Sequence, residues 1–369
     1  MAPYAPYATT VVGSYSVPRW YETLEKEAEA GRLSRPDMSD AQYRATQAAV
    51  KDQEIAGIDI ITGGEMHRRT NNRHAPPNAM LNHFWKKIPG FSQETRPKPI
   101  TPKDPDVFHP AAVCTGPISY ADLGLVEEFR VVSALTDRTV KITMTGPHML
   151  AKVAHDEHYG DIGRMMRDLA EVMRRNFQEL EDAGCRCIQV DEPLFAAVDT
   201  AEVESAVEAI NAAVHGLTSA SVHAHICQGN YAVGEGYDGQ IGHRYFDFGK
   251  YPADLICGID CDVLLVEHDF AGAYKGILSG KILAVGVADV QDPQVERPEV
   301  LVERIRALDW LPSAQTMLTS SCGLNHLPRE IAMGKLMSLT RASEMLRGAA
   351  APRKRAKATS RPRSPEARP

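Results

Sequence analysis

The sequence predicts an α/β protein built as a (β/α)8 barrel of the TIM type, with an inserted loop and hairpin region after the second strand. Eight short apolar segments recur along the chain, and most are followed by a stretch of helical composition. The apolar segments are typical of strands buried on both faces, which indicates a parallel sheet covered by helices. Eight such units in 369 residues favour a closed barrel over a doubly wound sheet.

The first three strands are β-branched runs that end in glycine. TTVVGSY (Thr9–Tyr15) and IDIITGGE (Ile58–Glu65) flank a stretch of helical composition over Ala41–Ala56. VKITMTGP (Val140–Pro147) is the third strand and stops at a Gly-Pro pair. Glycine and proline at these positions punctuate the strands and predict turns that lead into the next helix.

A long irregular region separates the second and third strands. From Met66 to Pro110 it is rich in Pro, Asn and His, which is more typical of a functional excursion than of a linker. AAVCTGPI (Ala111–Ile118) predicts a strand of a small hairpin, and residues 66–139 together form a predicted insertion that caps the substrate site. Trp85 in this region could stack on a planar substrate, although packing onto the barrel is the commoner role of such an aromatic.

The rest of the chain alternates regularly between strands and helices. The predicted strands are CIQVDEP (Cys187–Pro193), SVHAHIC (Ser221–Cys227), VLLVEHD (Val263–Asp269), ILAVGVADV (Ile282–Val290) and QTMLTSSCG (Gln315–Gly323). The predicted helices are Ile162–Ala183, Ala201–Val214, a short helix before the seventh strand, Pro298–Ala307 and Arg329–Arg347. A single catalytic domain over residues 1–348 follows from this pattern.

Composition narrows the class of protein. The chain is 43% hydrophobic and 24% charged, as expected of a globular domain, and it has no apolar run of the roughly 18 residues that a membrane span needs. Residues 349–369 form a basic tail that predicts disorder; from Arg353 onward the tail carries +6, which leaves −13 on the remainder. The acidic body argues against a nucleic-acid partner. Seven cysteines fit reduced thiols in the cytoplasm better than a disulfide framework.

Polar side chains stand at nearly every predicted strand end. In a (β/α)8 barrel the carboxyl ends of the strands meet at one face, where active sites of this fold lie. The candidates are Ser14, Glu65, Thr145, Asp191, Glu192, His225, Cys227, Glu267, Asp289 and Cys322. Because a purely structural barrel does not need Asp, Glu, His and Cys at these positions, the pattern predicts an active site.

Four of these side chains form a predicted zinc site. His225 and Cys227 alternate on one side of the SVHAHIC strand, Glu267 ends VLLVE, and Cys322 ends TSSC. A lone His-x-Cys is more often a half-buried histidine beside a small apolar cysteine. One imidazole, two thiolates and one carboxylate at neighbouring strand ends instead suit zinc, and ligands drawn from three strands indicate a catalytic ion with a replaceable carboxylate.

The ligand set also indicates the reaction. Two thiolates and a carboxylate donate so much negative charge that zinc would polarise a carbonyl or a water only weakly. Such an ion still binds an incoming thiol as its thiolate and keeps it nucleophilic near neutral pH. Zinc has no redox chemistry, so the predicted reaction is alkyl transfer to a substrate sulfur.

The motifs VVGSY, TGGE, TMTGP, QVDEP, His-x-Cys, the strand-end Glu and SSCGLNHLPRE occur in this order up to about Arg347. In this the chain resembles the catalytic barrel of cobalamin-independent methionine synthase. The resemblance implies that His225, Cys227, Glu267 and Cys322 are zinc ligands. It also implies that Ser14, Glu65 and Asp191 hold the amino acid part of homocysteine, with a methyl-folate-like donor.

A carboxylate pair suits an α-ammonium group, so Glu192 joins the predicted substrate residues. The alternative for Asp191 and Glu192 is a strand-end pair that caps the following turn. Arg69 and Trp85 complete the predicted substrate contacts. Oligomeric state cannot be inferred from the sequence, although barrels of this kind often form homodimers.

The chain departs from the family pattern at two points. The two-barrel family enzyme has an N-terminal half that helps to bind folate, whereas this chain predicts one barrel. At the seventh strand the family has a catalytic His two residues after an Asp; here Gln291 follows Asp289. Gln cannot donate a proton as a protonated His does, so the methyl donor could be another carrier. His148, like His155, is a candidate replacement acid, and Asp289, Gln291 and His148 are the predicted catalytic residues.

Three alternatives remain open. SVPRWYETL (Ser16–Leu24) resembles the related epoxyalkane:coenzyme M transferase, which opens an epoxide with a zinc-bound thiolate. Its sulfonate acceptor would favour Arg68, Arg69 and Arg73 over acidic residues, although a solvated basic loop explains them equally well. The uroporphyrinogen decarboxylase barrel is a metal-free alternative that the His-x-Cys and Cys-Gly-Leu motifs disfavour. The third is a zinc-binding scaffold without catalysis.

Overall fold

The computed structural model describes residues 4–68, 79–99, 108–227 and 251–350. Its strands are β1 (Ala8–Thr9), β2 (Ile60–Ile61), β3 (Phe91–Pro99), β4 (Phe108–Cys114), β5 (Thr139–Val140), β6 (Ile142–Thr145), β7 (His155–Asp156), β8 (Cys187–Asp191), β9 (Ser221–His225), β10 (Val263–Glu267), β11 (Ile282–Ala288) and β12 (Thr316–Ser320). Its α-helices are α1 (Arg19–Glu29), α2 (Arg35–Ala56), α3 (Ala79–Trp85), α4 (Leu125–Ser133), α5 (Pro147–Val153), α6 (Ile162–Asp182), α7 (Thr200–Val214), α8 (Ala253–Ile256), α9 (His268–Ala271), α10 (Pro298–Arg306) and α11 (Arg329–Ala350).

The parallel strands form a closed ring. Seven of them make one sheet in the order β1-β12-β11-β10-β9-β8-β6. The ring is completed by β2, which pairs in parallel with β5 and is joined to the first strand by the bridges Thr10–Ile60 and Ser14–Gly64. One residue separates β5 from β6, so the two are halves of the third barrel strand. The predicted (β/α)8 barrel is confirmed.

Helices cover the outside of the ring. The helices α2, α4, α6 and α7 pack one against the next, and α11 closes the layer by packing against α10 and α2. Several of them begin at a side-chain cap: Ser34 accepts from Asp37 N, Asp161 from Arg164 N, and Asp199 from Glu202 N. Each such cap stabilises a helix by about 1 kcal/mol. None of the helices in the described ranges is long and apolar enough to cross a membrane.

The region after β2 contains the predicted hairpin. Strands β3 and β4 pair antiparallel, and β7 adds to β4 in parallel. The helix α4 also lies inside the range 66–139 that the sequence predicted as an insertion, yet it packs between α2 and α6. It is therefore the barrel's own second helix, and the insertion ends before Leu125.

The barrel interior combines an apolar layer with buried polar groups. Ala8, Ile60, Cys187, Val263 and Met317, all near strand beginnings, belong to one apolar cluster. Polar side chains farther along the strands are buried too: Lys141, Thr143, Gln189, His223 and Asp191 are each at most 5% exposed. Because buried polar groups require partners, their hydrogen bonds determine the geometry of the carboxyl-end face.

Candidate active site and metal centre

Three of the four predicted metal ligands meet at the carboxyl end of the barrel. His225 is the last residue of β9, Cys227 follows it by two, and Cys322 follows β12 by two. One ligand atom from each lies within 4.8 Å of the others, and the two sulfur atoms are 3.3 Å apart. An imidazole and two thiols so arranged could hold a metal ion of the borderline-soft class.

Glu267 lies beside this group but outside the 4.8 Å set. It ends β10, next to β9 in the sheet, and its side chain is buried. The pKa of Cys322 is raised well above its ordinary value by the hydrogen bond to Cys227, by burial, and by the negative charge of Glu267. Two adjacent thiols and a carboxylate therefore form a site that favours bound positive charge, whether protons or a metal ion.

His225 is oriented by a carboxylate. Its Nδ1 lies 2.9 Å from Asp191 Oδ1, so Nδ1–H donates and Nε2 is left as the ligand nitrogen. This second nitrogen is buried and has no partner of hydrogen-bond geometry among the described residues. Burial lowers the pKa of His225, but Asp191 and the nearby Cys227 outweigh it and raise the pKa to about 10. A carboxylate behind a histidine is the usual support of a metal-binding imidazole.

Asp191 is itself held by a chain of donors that starts at a buried lysine. Lys141 Nζ donates to Val11 O and to Gln189 Oε1, the latter at 2.6 Å. Since an ammonium group only donates, the Gln189 amide oxygen must point toward it. Gln189 Nε2 then donates to Asp191 Oδ1 at 2.7 Å, the same oxygen that accepts from His225. Burial lowers the pKa of Lys141 to about 8.

Ser14 and Glu65, predicted to bind substrate, lie side by side at the first two strand exits, where Ser14 pairs with Gly64. Ser14 Oγ donates to Asn325 Oδ1 at 3.0 Å. Glu65 is 7% exposed, adopts a left-handed backbone with φ of 59°, and accepts from Thr143 Oγ1 at 2.5 Å. A side chain at Gly13 would collide with the Glu65 carboxylate, so glycine makes room for it.

The adjacent carboxylates of Asp191 and Glu192 have different hydrogen-bond partners. Glu192 turns away from His225 and accepts from His148 N at 2.9 Å and Met149 N at 3.1 Å, at the beginning of α5. A Cβ at Gly146 would clash with it. The capping interpretation therefore describes Glu192, and the carboxylate of Asp191 alone contacts a candidate metal ligand.

His148 is fully buried between two carboxylates. Its Nε2 is 2.7 Å from Glu202 Oε1 and its Nδ1 is 3.6 Å from Glu192 Oε2. Burial opposes protonation, but these carboxylates outweigh it and raise the pKa of His148. With 0% exposure, the imidazole forms ion pairs with the barrel's own residues, and its predicted role as an acid stays a prediction.

Trp85 and the seventh-strand residues have different surroundings. Trp85 is 1% exposed, and its indole N–H donates to Leu150 O at 3.1 Å. It packs in the core and offers no exposed face for the predicted stacking.

Asp289 Oδ1 accepts from Gln291 N at 2.9 Å in a local turn, and both residues are half-buried. Arg69 and Arg73 lie outside the described residues.

Sequence reasoning missed Lys141, Thr143 and Gln189, although their pattern was visible. Lys141 and Thr143 alternate along the third strand, and Gln189 and Asp191 alternate along the fourth. Polar residues at a period of two, within strands covered on both faces, indicate a buried network on the inner face of the barrel.

Comparison with known proteins agrees with this architecture. Residues 7–345 match the model of the family described as the cobalamin-independent synthase, catalytic domain. A methionine synthase of Pyrococcus abyssi is 33% identical over 92% of this chain and 92% of its own. One of Thermococcus kodakarensis is 31% identical over 92% and 93%. The chain belongs to the cobalamin-independent methionine synthase family.

Two solved structures share this fold over most of the chain. The structure of a B12-independent methionine synthase from Shewanella sp. W3-18-1 covers 94% of this chain with a TM-score of 0.76 at 23% identity. A putative vitamin-B12 independent methionine synthase from Listeria monocytogenes covers 93% with a TM-score of 0.70 at 20% identity. These likenesses support the barrel fold.

Proposed function

We propose that this chain is a zinc-dependent S-methyltransferase that converts homocysteine to methionine. Family membership over residues 7–345 supports the reaction class. The observation that carries the metal part is the meeting of one ring nitrogen of His225 with the thiols of Cys227 and Cys322 within 4.8 Å. Half-buried thiols this close to each other can ionise together only if a cation compensates their charge.

The donor set fits zinc. His225, Cys227 and Cys322 would hold the ion, and Glu267 is the proposed fourth, replaceable ligand. A zinc ion bound there would keep a substrate thiol deprotonated near neutral pH. Asp191 would hold the ligand tautomer of His225 and so support the metal site through the imidazole.

The amino acid part of homocysteine is assigned to Ser14, Glu65 and Asp191. Glu65 and Asp191 supply negative charge for the α-ammonium group, and Ser14 supplies a hydroxyl at the same edge. In the proposed reaction the substrate sulfur attacks the donor's methyl carbon. The sulfur–carbon bond forms, the bond between the methyl group and the donor breaks, and the donor leaves with the bonding pair and takes up a proton.

The methyl donor is proposed to be methyl-folate-like or another methyl carrier. Asp289 and Gln291 stand at the seventh strand exit, and Gln291 can orient a donor by hydrogen bonds but cannot protonate it. The enzyme is proposed to work in the cytoplasm, which agrees with seven free cysteines.

The epoxide-opening alternative gains no support from Arg68. A sulfonate acceptor would need an available guanidinium group, but Arg68 is 2% exposed and is bonded to Glu128 and Thr143. Homocysteine is therefore the better acceptor for the described part of the site.

The test combines zinc content with the choice of thiol. We expect about one zinc per purified chain, and methyl transfer to homocysteine but not to coenzyme M. Cys322→Ser should weaken zinc binding by more than the roughly 10–100-fold that loss of an outer-sphere partner costs, and should abolish transfer. Cys257→Ser is the matched control, because Cys257 is a half-buried thiol outside the ligand group. A zinc-free active protein would refute the proposal, as would equal losses in the two variants.

A further inference from the structure

Arg68 is a buried cation that the proposed chemistry does not use. It ends the 3-10 turn Met66–Arg68 that follows Glu65 and is 2% exposed. Its Nη2 donates to Glu128 Oε2 and to Thr143 O, both at 2.7 Å. Its Nη1 donates to Thr143 Oγ1 at 2.8 Å and reaches Glu65 Oε1 at 3.4 Å. An arginine this deep persists only with such partners.

These contacts fix the direction of one hydroxyl proton. A guanidinium group only donates, so Thr143 Oγ1 accepts from Arg68 and its single proton is directed to Glu65 Oε1, 2.5 Å away. Both hydrogen bonds of the Glu65 carboxylate thus converge on Oε1 in the described part of the chain. The carboxylate cannot rotate without breaking them, and Oε2 is left for a ligand.

Arg68 also affects the pKa of Glu65. Burial raises the pKa of Glu65, and Asp191 and Glu128 add to the rise, whereas Arg68 and Thr143 lower it. Among the described residues, Lys141 is a further cation near this carboxyl. The Glu128 carboxylate accepts a hydrogen bond from Arg68. His67 Nε2 also lies 3.2 Å from Glu128 Oε2. Burial opposes its ionisation, but Arg68 and the hydrogen bond from His67 hold the pKa of Glu128 below its usual range.

We propose that Arg68 is a positioning residue for the thiol substrate: acting through Thr143, it holds Glu65 so that the free oxygen receives the α-ammonium group of homocysteine. This inference rests on the proposed function and deepens it by naming what sets selectivity for an amino-thiol. Glu128 anchors Arg68 and thereby sets the angle of Glu65 from outside the site.

The main test is a double-mutant cycle. Thr143→Val keeps the side-chain shape and removes the hydroxyl that connects Arg68 to Glu65. It should raise KM for homocysteine about tenfold, the equivalent of one charged hydrogen bond, with kcat changed less than about twofold because the thiol chemistry is untouched. In a Glu65→Gln background the same substitution should change KM less than about twofold, since residues in one network are not additive. Equal factors in both backgrounds would overturn the inference.

A second variant tests whether the positive charge of Arg68 lowers the pKa of Glu65. Arg68→Met/Glu128→Gln removes both ions of that pair together, so that Glu128 is not left as an unpaired buried charge. Because the Arg68 charge acts on Glu65 more strongly than that of Glu128, the pKa of Glu65 should rise and the acidic limb of kcat/KM for homocysteine should move to higher pH. Arg68→Lys keeps the charge without the fork and should return the limb toward its original pH. An acidic limb that does not move would contradict the inference.

Two controls separate the possible failures. Zinc content and melting temperature show whether each variant is folded and loaded. If the unmodified protein methylates no homocysteine with any tested donor, the proposed function itself fails. If it is active and the cycle is additive, only the role of Arg68 fails.

Discussion

Replacing Asp191 by Asn should weaken zinc binding while the fold stays intact. Asp191 Oδ1 accepts from His225 Nδ1 at 2.9 Å and from Gln189 Nε2 at 2.7 Å. Asn is isosteric, and its amide oxygen can accept both hydrogen bonds, so the loss is the charge. Hydrogen bonds to charged groups contribute about 1.5–3 kcal/mol and those between neutral groups about 0.5–1.5. The difference of about 1–2 kcal/mol corresponds to about 5–30-fold in zinc affinity.

The assay is competition for zinc between the metal-free protein and a chromophoric chelator at pH 7, without thiol substrate, so that loss of substrate binding does not contribute. Glu192→Gln is the matched control: it removes the same charge one residue away, where the carboxylate caps α5 instead of contacting His225. It should cost about 1 kcal/mol of folding stability and leave zinc affinity unchanged. Unchanged affinity in Asp191→Asn, or an equal loss in both variants, would refute the assigned orientation of His225.

Two further predictions concern stability. His148 and Lys152 outweigh burial and hold the pKa of Glu202 at about 2, against 4.5 unfolded, so this ion pair stabilises the fold above pH 4.5 and loses its effect as pH falls toward 2. Glu202→Gln should therefore lower the free energy of unfolding at pH 7 by at most about 3 kcal/mol, and denaturant titrations should show the gap closing below pH 4.5. Trp85→Phe should cost about 1–2 kcal/mol through the lost bond to Leu150 O, with unchanged KM for the methyl donor; a raised KM at unchanged melting temperature would instead support stacking.

The barrel was predictable because burial and chain periodicity act locally. A helix predicted over Ala201–Val214 is observed over Thr200–Val214, and one predicted over Ile162–Ala183 over Ile162–Asp182. Both begin at an Asp cap that precedes an apolar periodic stretch, which the sequence shows directly. The meeting of the candidate metal ligands was predictable for a related reason, since parallel strands must end at one face.

The region between β2 and β5 was less predictable because its elements lack such a pattern. Strand β3, FSQETRPKP, is exposed along most of its length, so no alternation of apolar and polar residues marks it, and only its pairing with β4 defines it. The helix α4 has a buried face of few residues, and it follows a glycine N-cap instead of a side-chain cap. Both depend on tertiary contacts that no local pattern records.

Three strand-end carboxylates have different hydrogen-bond partners, which the sequence does not predict. Glu65, Asp191 and Glu192 are alike in sequence, yet each has a different partner: Thr143 with Arg68, His225, and the first amides of α5. The strand period of two explains why Asp191 and Glu192 diverge, but not which partner each finds. In the described part of the chain Asp191 is committed to the imidazole and Glu192 to a helix, whereas Glu65 is held at one oxygen only. Under the proposed function, the ammonium group of homocysteine would bind at the free oxygen of Glu65, with the charge of Asp191 acting on the same site. Selectivity for the thiol would then depend on Arg68, which acts through Thr143 and Glu65.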